Sequence, residues 1–111
     1  MHDLIARLKK FRDDRDWEQF HTPQNLAVSI SIEAAELLEI FQWHTEDKLI
    51  DDTVRDEIKG ELADIFSYML LLCDRVEIDL IEATNSKIDL NEKRFPVLDS
   101  RSIAKPEDRL K

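Results

Sequence analysis

Apolar residues recur at intervals of three and four along most of this chain, and very few residues interrupt them. The 111 residues include one glycine and three prolines. Sheet proteins need many more turn-forming residues than this, whereas long helices need few. The pattern therefore predicts an all-α fold, and a chain of this length is expected to form a single domain.

The first two predicted helices are defined by apolar spacing and by capping residues. The first covers about residues 3–14. The second begins after Thr22, a good capping residue, with Pro23 at the first helical position, where a missing N–H costs nothing. Its apolar stripe continues to about Trp43, as expected for a helix with one buried face.

The third predicted helix is the most apolar segment. It is capped by Asp52 or Thr53 and reaches about Val76. From Leu62 onward, apolar residues spread around most of its circumference, which indicates burial on more than one side. We therefore expect a helical bundle that is completed by oligomerisation.

The fourth predicted helix begins at Asp79, with Glu82 three residues later as in a capping box, and ends near Arg94. Together the four helices predict one helical domain over residues 1–97. The remaining residues, 98–111, are predicted to be a polar, extended C-terminal tail.

Charge limits the classes of partner. Acidic residues outnumber basic ones 25 to 16, for a net charge of −9, which argues against binding to DNA or RNA polymers. A nucleotide ligand remains compatible if divalent cations lie between it and the protein. The longest apolar run, 68–73, is too short to span a membrane, and the N-terminus has no apolar signal segment. We expect a cytoplasmic protein with no membrane partner.

Two pairs of carboxylates border the apolar stripes of the second and third helices. Glu33 and Glu36 form one pair, and Glu61 and Asp64 the other. A spacing of three places each pair on one helical face. If the two helices pack antiparallel through their stripes, the four groups converge, and two unit charges about 5 Å apart repel by about 3 kcal/mol at an effective dielectric near 20. Such a cluster predicts a Mg²⁺ site, with Mn²⁺ as the other candidate.

Two alternatives to this metal site remain open. One is an ordinary solvated acidic face beside each helix. The other is a di-iron bundle, but such sites use Glu-x-x-His on two helices. The one such spacing here joins Glu18 to His21, just before Pro23 and off any long helix.

Candidate ligand-binding residues lie elsewhere in the chain. Lys87, Asn91 and Arg94 share one face of the fourth helix and would suit phosphate binding, although charged helix faces are also common without a ligand. Trp17 and Trp43 can stack on a base or pack in a core. Tyr68 lies seven residues after Glu61, on the acidic side of its helix, so its hydroxyl is a candidate for the same pocket as the carboxylates. His21 and His44 receive no role.

The order of these motifs resembles the MazG-like nucleotide pyrophosphohydrolases, in particular their dCTP pyrophosphatase branch. The resemblance extends from about Trp17 to Lys105. It rests on the strings Glu33-Ala-Ala-Glu36-Leu-Leu-Glu39-Ile-Phe-Gln-Trp43, Glu61-Leu-Ala-Asp64-Ile-Phe-Ser-Tyr68, Asp79-Leu, Ser86-Lys87, Asn91-Glu-Lys-Arg94-Phe-Pro96 and Ser100-Arg-Ser-Ile-Ala-Lys105. The stretch before Trp17 departs from the pattern of these relatives, which leaves the preferred base open.

The resemblance implies a MazG-like bundle and an enzyme that hydrolyses (deoxy)nucleoside triphosphates, with dCTP as a candidate, to the monophosphate and pyrophosphate. Such an enzyme would clear unwanted nucleotides. It also implies a homotetramer built as a dimer of dimers. The implied roles are Mg²⁺ binding and catalysis by Glu33, Glu36, Glu61 and Asp64, triphosphate contacts from Lys87, Asn91 and Arg94, and a nucleoside pocket shaped by Trp17, Trp43 and Tyr68.

Two other functions compete with this interpretation. A non-catalytic helical module that binds a partner through its apolar third helix would release no pyrophosphate. A phosphatase that removes terminal phosphates would release orthophosphate instead.

Overall fold

The computed structural model describes residues 1–42 and 50–111. The regular elements within these ranges are all helical, and no strand occurs there. The elements are α1 (His2–Asp14), a 3₁₀ turn (Glu18–Phe20), α2 (Pro23–Ile40), α3 (Asp52–Val76), α4 (Leu80–Arg94) and α5 (Val97–Ser100). The all-α prediction is confirmed. Trp43, a predicted nucleoside-binding residue, and His44 lie outside the described residues.

Capping residues define where the helices begin. Thr22 Oγ1 accepts a hydrogen bond from the Asn25 N–H at 3.1 Å, as predicted. The predicted cap of α3, Asp52 or Thr53, was wrong. Helix α3 is capped by Asp51, whose side chain accepts a hydrogen bond from the Val54 N–H at 2.9 Å. Asp51 still has extended backbone, whereas the predicted Asp52 is already helical and its side chain cannot reach the third N–H of the helix.

The other helix ends follow from local hydrogen bonds. Asp79 caps α4 by accepting from the Glu82 N–H at 3.1 Å, as predicted. Helix α2 ends at Ile40, earlier than expected. The amides of the next two residues, Phe41 and Gln42, bond to carbonyls three residues back, at 3.0 and 3.1 Å, so the last turn tightens and the α-helical pattern stops.

The contacts of the chain divide into two compact units, residues 1–77 and 78–111. In the first unit, α2 packs along α3, and α1 also contacts α3. Among the described residues of this unit, the buried apolar side chains are few: Leu26, Val54, Leu70 and Leu71. Many other large apolar side chains of the described residues stay exposed, so the single chain leaves much apolar surface uncovered.

The second unit contains α4, α5 and the tail. The predicted extended tail is not what the structure shows, because Val97–Ser100 is helical and the chain end returns to α4. Asp108 accepts a hydrogen bond from Arg94 Nε at 2.8 Å, and the Arg109 N–H donates to the Arg94 carbonyl at 2.8 Å. This pairing between residues far apart in sequence leaves no periodic signal. The predicted domain boundary at residues 97/98 stays a prediction.

None of the described helices combines the length and apolar character needed to cross a membrane. The cytoplasmic location stays a prediction.

Candidate active site

Three carboxylates from two packed helices come together in the first unit. Glu33 lies on α2, and Glu61 and Asp64 lie one helical turn apart on α3. One oxygen from each of these side chains lies within 4.8 Å of the other two. The packing of α2 against α3 therefore brings three of the four predicted ligands within reach of one cation.

The hydrogen bonding of this cluster is incomplete. Glu33 Oε2 and Glu61 Oε2 are both buried, and neither has a hydrogen-bond partner within the described ranges. A buried carboxylate oxygen without a donor is costly, and a bound cation removes that cost. Because all of the clustered donors are hard oxygens, the residues fit Mg²⁺ or Mn²⁺.

Electrostatic crowding also changes the titration of the cluster. The pKa of Glu33 rises to about 7, first because its protonated form can donate a hydrogen bond to Glu61. Burial and the negative charges of Glu36 and Asp64 add to this rise. The pKa of Tyr68 is also raised, mainly by burial and then by the nearby carboxylates. A site that makes Glu33 hard to ionise is short of positive charge.

Glu36 takes a different position from the other three predicted ligands. It is exposed and lies outside the three-carboxylate cluster, although it is close enough to raise the pKa of Glu33. It borders an open cleft of about 600 Å³. The lining residues of this cleft are Glu36, Glu39, Ile40, Asp56, Glu57, Gly60, Glu61 and Asp64. A cleft this acidic would repel a polyphosphate unless cations lay between them.

A second cavity, of about 270 Å³, adjoins the cluster through Asp64. Its lining residues are Leu8, Phe11, Arg12, Trp17, His21, Asp64, Ser67, Tyr68 and Leu71. Two of the predicted nucleoside-binding residues, Trp17 and Tyr68, therefore share one cavity beside the carboxylates. The Phe11 and Trp17 rings meet edge to face, with centroids 5.8 Å apart. This aromatic pocket has the size and chemistry for a flat ring.

Arg12 and His21 line the same pocket but were not predicted as site residues. Arg12 follows Leu8 by four residues and so lies on the apolar stripe of α1. A charged residue on an apolar stripe is the signal that would have indicated it. No role was predicted for His21 from the sequence, and only the fold brings it next to Tyr68, with ring centroids 6.5 Å apart.

The predicted phosphate-binding residues lie on α4 in the second unit. Arg94 Nη1 donates to Asn91 Oδ1 at 3.1 Å, so these two side chains do share a face. The guanidinium also forms an ion pair with Asp108, with Nη2 and Oδ2 2.6 Å apart. This pairing lowers the pKa of Asp108. Lys87 is exposed on the same helix. Phosphate binding by these residues stays a prediction.

Comparison with known proteins gives three consistent similarities. The model of the MazG-like family matches residues 28–110. The chain is 38% identical over 108 residues to mouse (Mus musculus) dCTP pyrophosphatase 1, and 37% identical over 109 residues to the human protein of the same name. These alignments cover 94% and 95% of this chain, and the chain spans only 64% of the length of either relative. The crystal structure of a pyrophosphatase from Archaeoglobus fulgidus DSM 4304 superposes with a TM-score of 0.78 at 48% identity, covering 86% of this chain and 92% of that one.

Proposed function

Since this chain belongs to the MazG-like family, we propose that it is a Mg²⁺-dependent nucleoside triphosphate pyrophosphohydrolase. It would convert a (deoxy)nucleoside triphosphate and water to the monophosphate and pyrophosphate. The observation that carries this proposal is the cluster of Glu33, Glu61 and Asp64 beside an aromatic pocket that shares Asp64 with it. The name of the mammalian relatives makes dCTP the first substrate to test.

The carboxylates would divide the work between metal binding and proton transfer. Glu33, Glu61 and Asp64 would hold the cation, because their oxygens lie within 4.8 Å of one another. A bound Mg²⁺ would neutralise phosphate charge and lower the pKa of an attacking water. Glu36 lies outside that cluster and faces the open cleft, so its carboxylate would accept the proton of the water that attacks the α-phosphorus.

The rest of the substrate would be held by two groups of residues. Trp17 and Tyr68 would enclose the nucleoside in the aromatic pocket. Trp43, predicted for the same role, lies outside the described residues. The cationic residues of α4, Lys87 and Arg94, would stabilise the departing pyrophosphate together with Asn91. Arg94 would have to exchange its present partners, Asp108 and Asn91, for phosphate oxygens.

Product analysis tests this function directly. With Mg²⁺ and a panel of deoxynucleoside triphosphates, we expect equimolar monophosphate and pyrophosphate, resolved by ion-exchange chromatography. Turnover in ¹⁸O-labelled water should place the label on the monophosphate, because the bond to the α-phosphorus is the one that breaks. Orthophosphate together with a diphosphate would indicate a terminal phosphatase instead. No turnover of any triphosphate would favour the non-catalytic helical module.

We also propose that the protein is a homo-oligomer, a tetramer built as a dimer of dimers. The support comes from α3, where five neighbouring residues of one face line an apolar groove of about 420 Å³. They are Leu62, Ala63, Ile65, Phe66 and Met69. Leu62 remains 50% exposed and Phe66 37% exposed, and contiguous apolar surface of this kind is typical of subunit interfaces.

A charge placed on this face should separate the subunits. We expect Leu62→Glu to shift the protein to smaller species in sedimentation velocity, because the new carboxylate would have to be buried in the interface. Thr53→Glu is the matched control, since it adds the same charge near the start of α3 on the opposite side of the helix. An unchanged sedimentation coefficient for Leu62→Glu would show that the groove is not the interface.

A further inference from the structure

The aromatic pocket contains a buried cation that the proposed reaction does not use. Arg12 is only 7% exposed and borders the cavity together with Phe11, Trp17 and Tyr68. Its Nε donates to Asp13 Oδ1 at 2.8 Å, and Asp13 itself is half exposed at the edge of α1. Arginine carries five N–H donors, so this contact satisfies one of them.

The hydrogen bond with Asp13 raises the pKa of Arg12, and the negative charges of Glu18 and Asp74 add to this rise. Within the described residues, the guanidinium of Arg12 makes one hydrogen bond, from Nε to Asp13. The backbone of Arg12 holds the neighbourhood in place, because its carbonyl accepts from the Trp17 N–H at 3.0 Å. A guanidinium at a pocket wall is a fork that favours two adjacent acceptors on a flat partner.

His21 adds an unpaired polar group to the same pocket. Its Nδ1 is buried and has no hydrogen-bond partner in the described part of the chain. Burial, and then the positive charge of Arg12, lower the pKa of His21, so its imidazole is neutral near pH 7. A neutral imidazole offers one donor and one acceptor. The unpaired Nδ1 of His21 in this mostly apolar cavity lacks a partner that a polar ligand can supply.

We propose that Arg12, assisted by His21, is the residue that determines base specificity, and that it selects bases with two adjacent hydrogen-bond acceptors on one edge. Cytosine offers N3 and O2, and guanine offers O6 and N7, the pair that arginine commonly reads in nucleic acids. Adenine places its N6 amino donor beside both N1 and N7. Thymine and uracil place N3–H between their carbonyls, and that N–H would face a guanidinium donor. This inference rests on the proposed function and deepens it.

The test compares base selectivity rather than overall activity. For the wild-type protein with Mg²⁺, we expect kcat/KM for dCTP or dGTP to exceed that for dATP, dTTP and dUTP by about ten- to hundredfold. The better of the first two identifies whether a pyrimidine or a purine is read. Arg12→Met, of similar length but without donors, should lower kcat/KM for the preferred base by about that factor and change the others by less than about threefold.

Two further variants separate recognition from folding. Arg12→Lys keeps the buried charge but replaces the fork by a single ammonium, so it should also flatten the selectivity, even if Arg12→Met proves unstable. Arg7→Met is the control, because Arg7 is exposed on the same helix and is not part of the pocket. The control should keep the wild-type ratio between bases.

The outcomes separate this inference from the proposed function. Equal losses for all five triphosphates in Arg12→Met and Arg12→Lys would overturn it, as would wild-type turnover of dATP, dTTP or dUTP as efficient as that of the better of dCTP and dGTP. If no triphosphate is hydrolysed, the proposed function fails, yet calorimetric titration with dCMP, dGMP and dTMP still tests the pocket. Tighter binding of dCMP or dGMP than of dTMP, lost in Arg12→Lys, would support the inference, and equal binding of the three would overturn it.

Discussion

Glu61→Gln and Asp64→Asn are each expected to lower kcat by about a thousandfold or more while leaving the helical content unchanged. Both side chains belong to the three-carboxylate cluster, and an amide keeps the shape of the group but removes the charge that binds a cation. A steady-state assay of pyrophosphate release over a range of Mg²⁺ concentrations gives the measurement. Circular dichroism checks that the fold is retained.

The control for this prediction lies on the same helix. Asp74→Asn makes the same chemical change at an exposed carboxylate, whose contact with Lys9 at 3.6 Å is a surface ion pair of little energetic value. It should retain the wild-type rate. If Glu61→Gln and Asp64→Asn both kept turnover within tenfold of wild type with an unchanged Mg²⁺ requirement, the cluster would not be the metal site.

The amide variants should lose activity but not stability. In the absence of metal, the cluster holds buried oxygens that repel one another and lack donors. Removing one charge relieves that repulsion. We therefore expect the metal-free variants to melt at or above the wild-type temperature, so that loss of activity cannot be ascribed to loss of fold.

Mg²⁺ should stabilise the protein far more at pH 8 than at pH 5.5. The pKa of Glu33 is about 7 in the folded chain against an ordinary value of 4.5, so the unfolded chain loses this proton first. The contribution of protonated Glu33 to stability is complete below about pH 4.5 and is lost as the pH rises through 7. At pH 8 the ionised cluster would bind the cation without displacing a proton.

The expected size follows from mass action. At a Mg²⁺ concentration about 100 times the dissociation constant, binding adds about 2.7 kcal/mol, or roughly 10 °C or more in Tm for a chain of this size. At pH 5.5 the same concentration should give a much smaller shift, because Glu33 must first release its proton. Thermal melts at the two pH values, with NaCl matched for ionic strength as the control, provide the measurement.

Glu33→Gln assigns the effect to one residue. It should remove most of the Mg²⁺-induced shift at pH 8. It should also raise the metal-free stability at that pH by about 1 kcal/mol after allowance for solvent screening, since one of the repelling charges is gone. A Mg²⁺ shift that is equal at both pH values in the wild-type protein would contradict the role of Glu33 as a ligand that must ionise.

The acidic cluster shows how far sequence reasoning about the site could go. Glu61 and Asp64 are three residues apart, and any helix with that spacing places them on one face. The same reasoning joined Glu33 to Glu36, yet the structure brings only Glu33 into the cluster and leaves Glu36 at the open cleft. Whether Glu33 or Glu36 turns toward α3 depends on the rotation of α2 about its own axis, and no local spacing specifies that rotation.

Arg12 and Asp108 show the same limit from the other side. Both were absent from the predicted site. Arg12 is buried where it borders the aromatic pocket, and Asp108 reaches Arg94 across 14 positions of sequence because the tail returns to α4. Long-range pairs of this kind are set by tertiary packing, whereas periodicity reports only on neighbours within one turn.

The sequence by itself determined what depends on neighbours along the chain. The scarcity of glycine and proline and the three-and-four spacing of apolar residues required helices, and the caps at Thr22 and Asp79 followed from hydrogen bonds that reach three residues. Only the tertiary structure decided which carboxylates come together and which arginine borders the pocket. Those choices depend on distances between separate helices, which are set by how their side chains pack and not by their order in the chain.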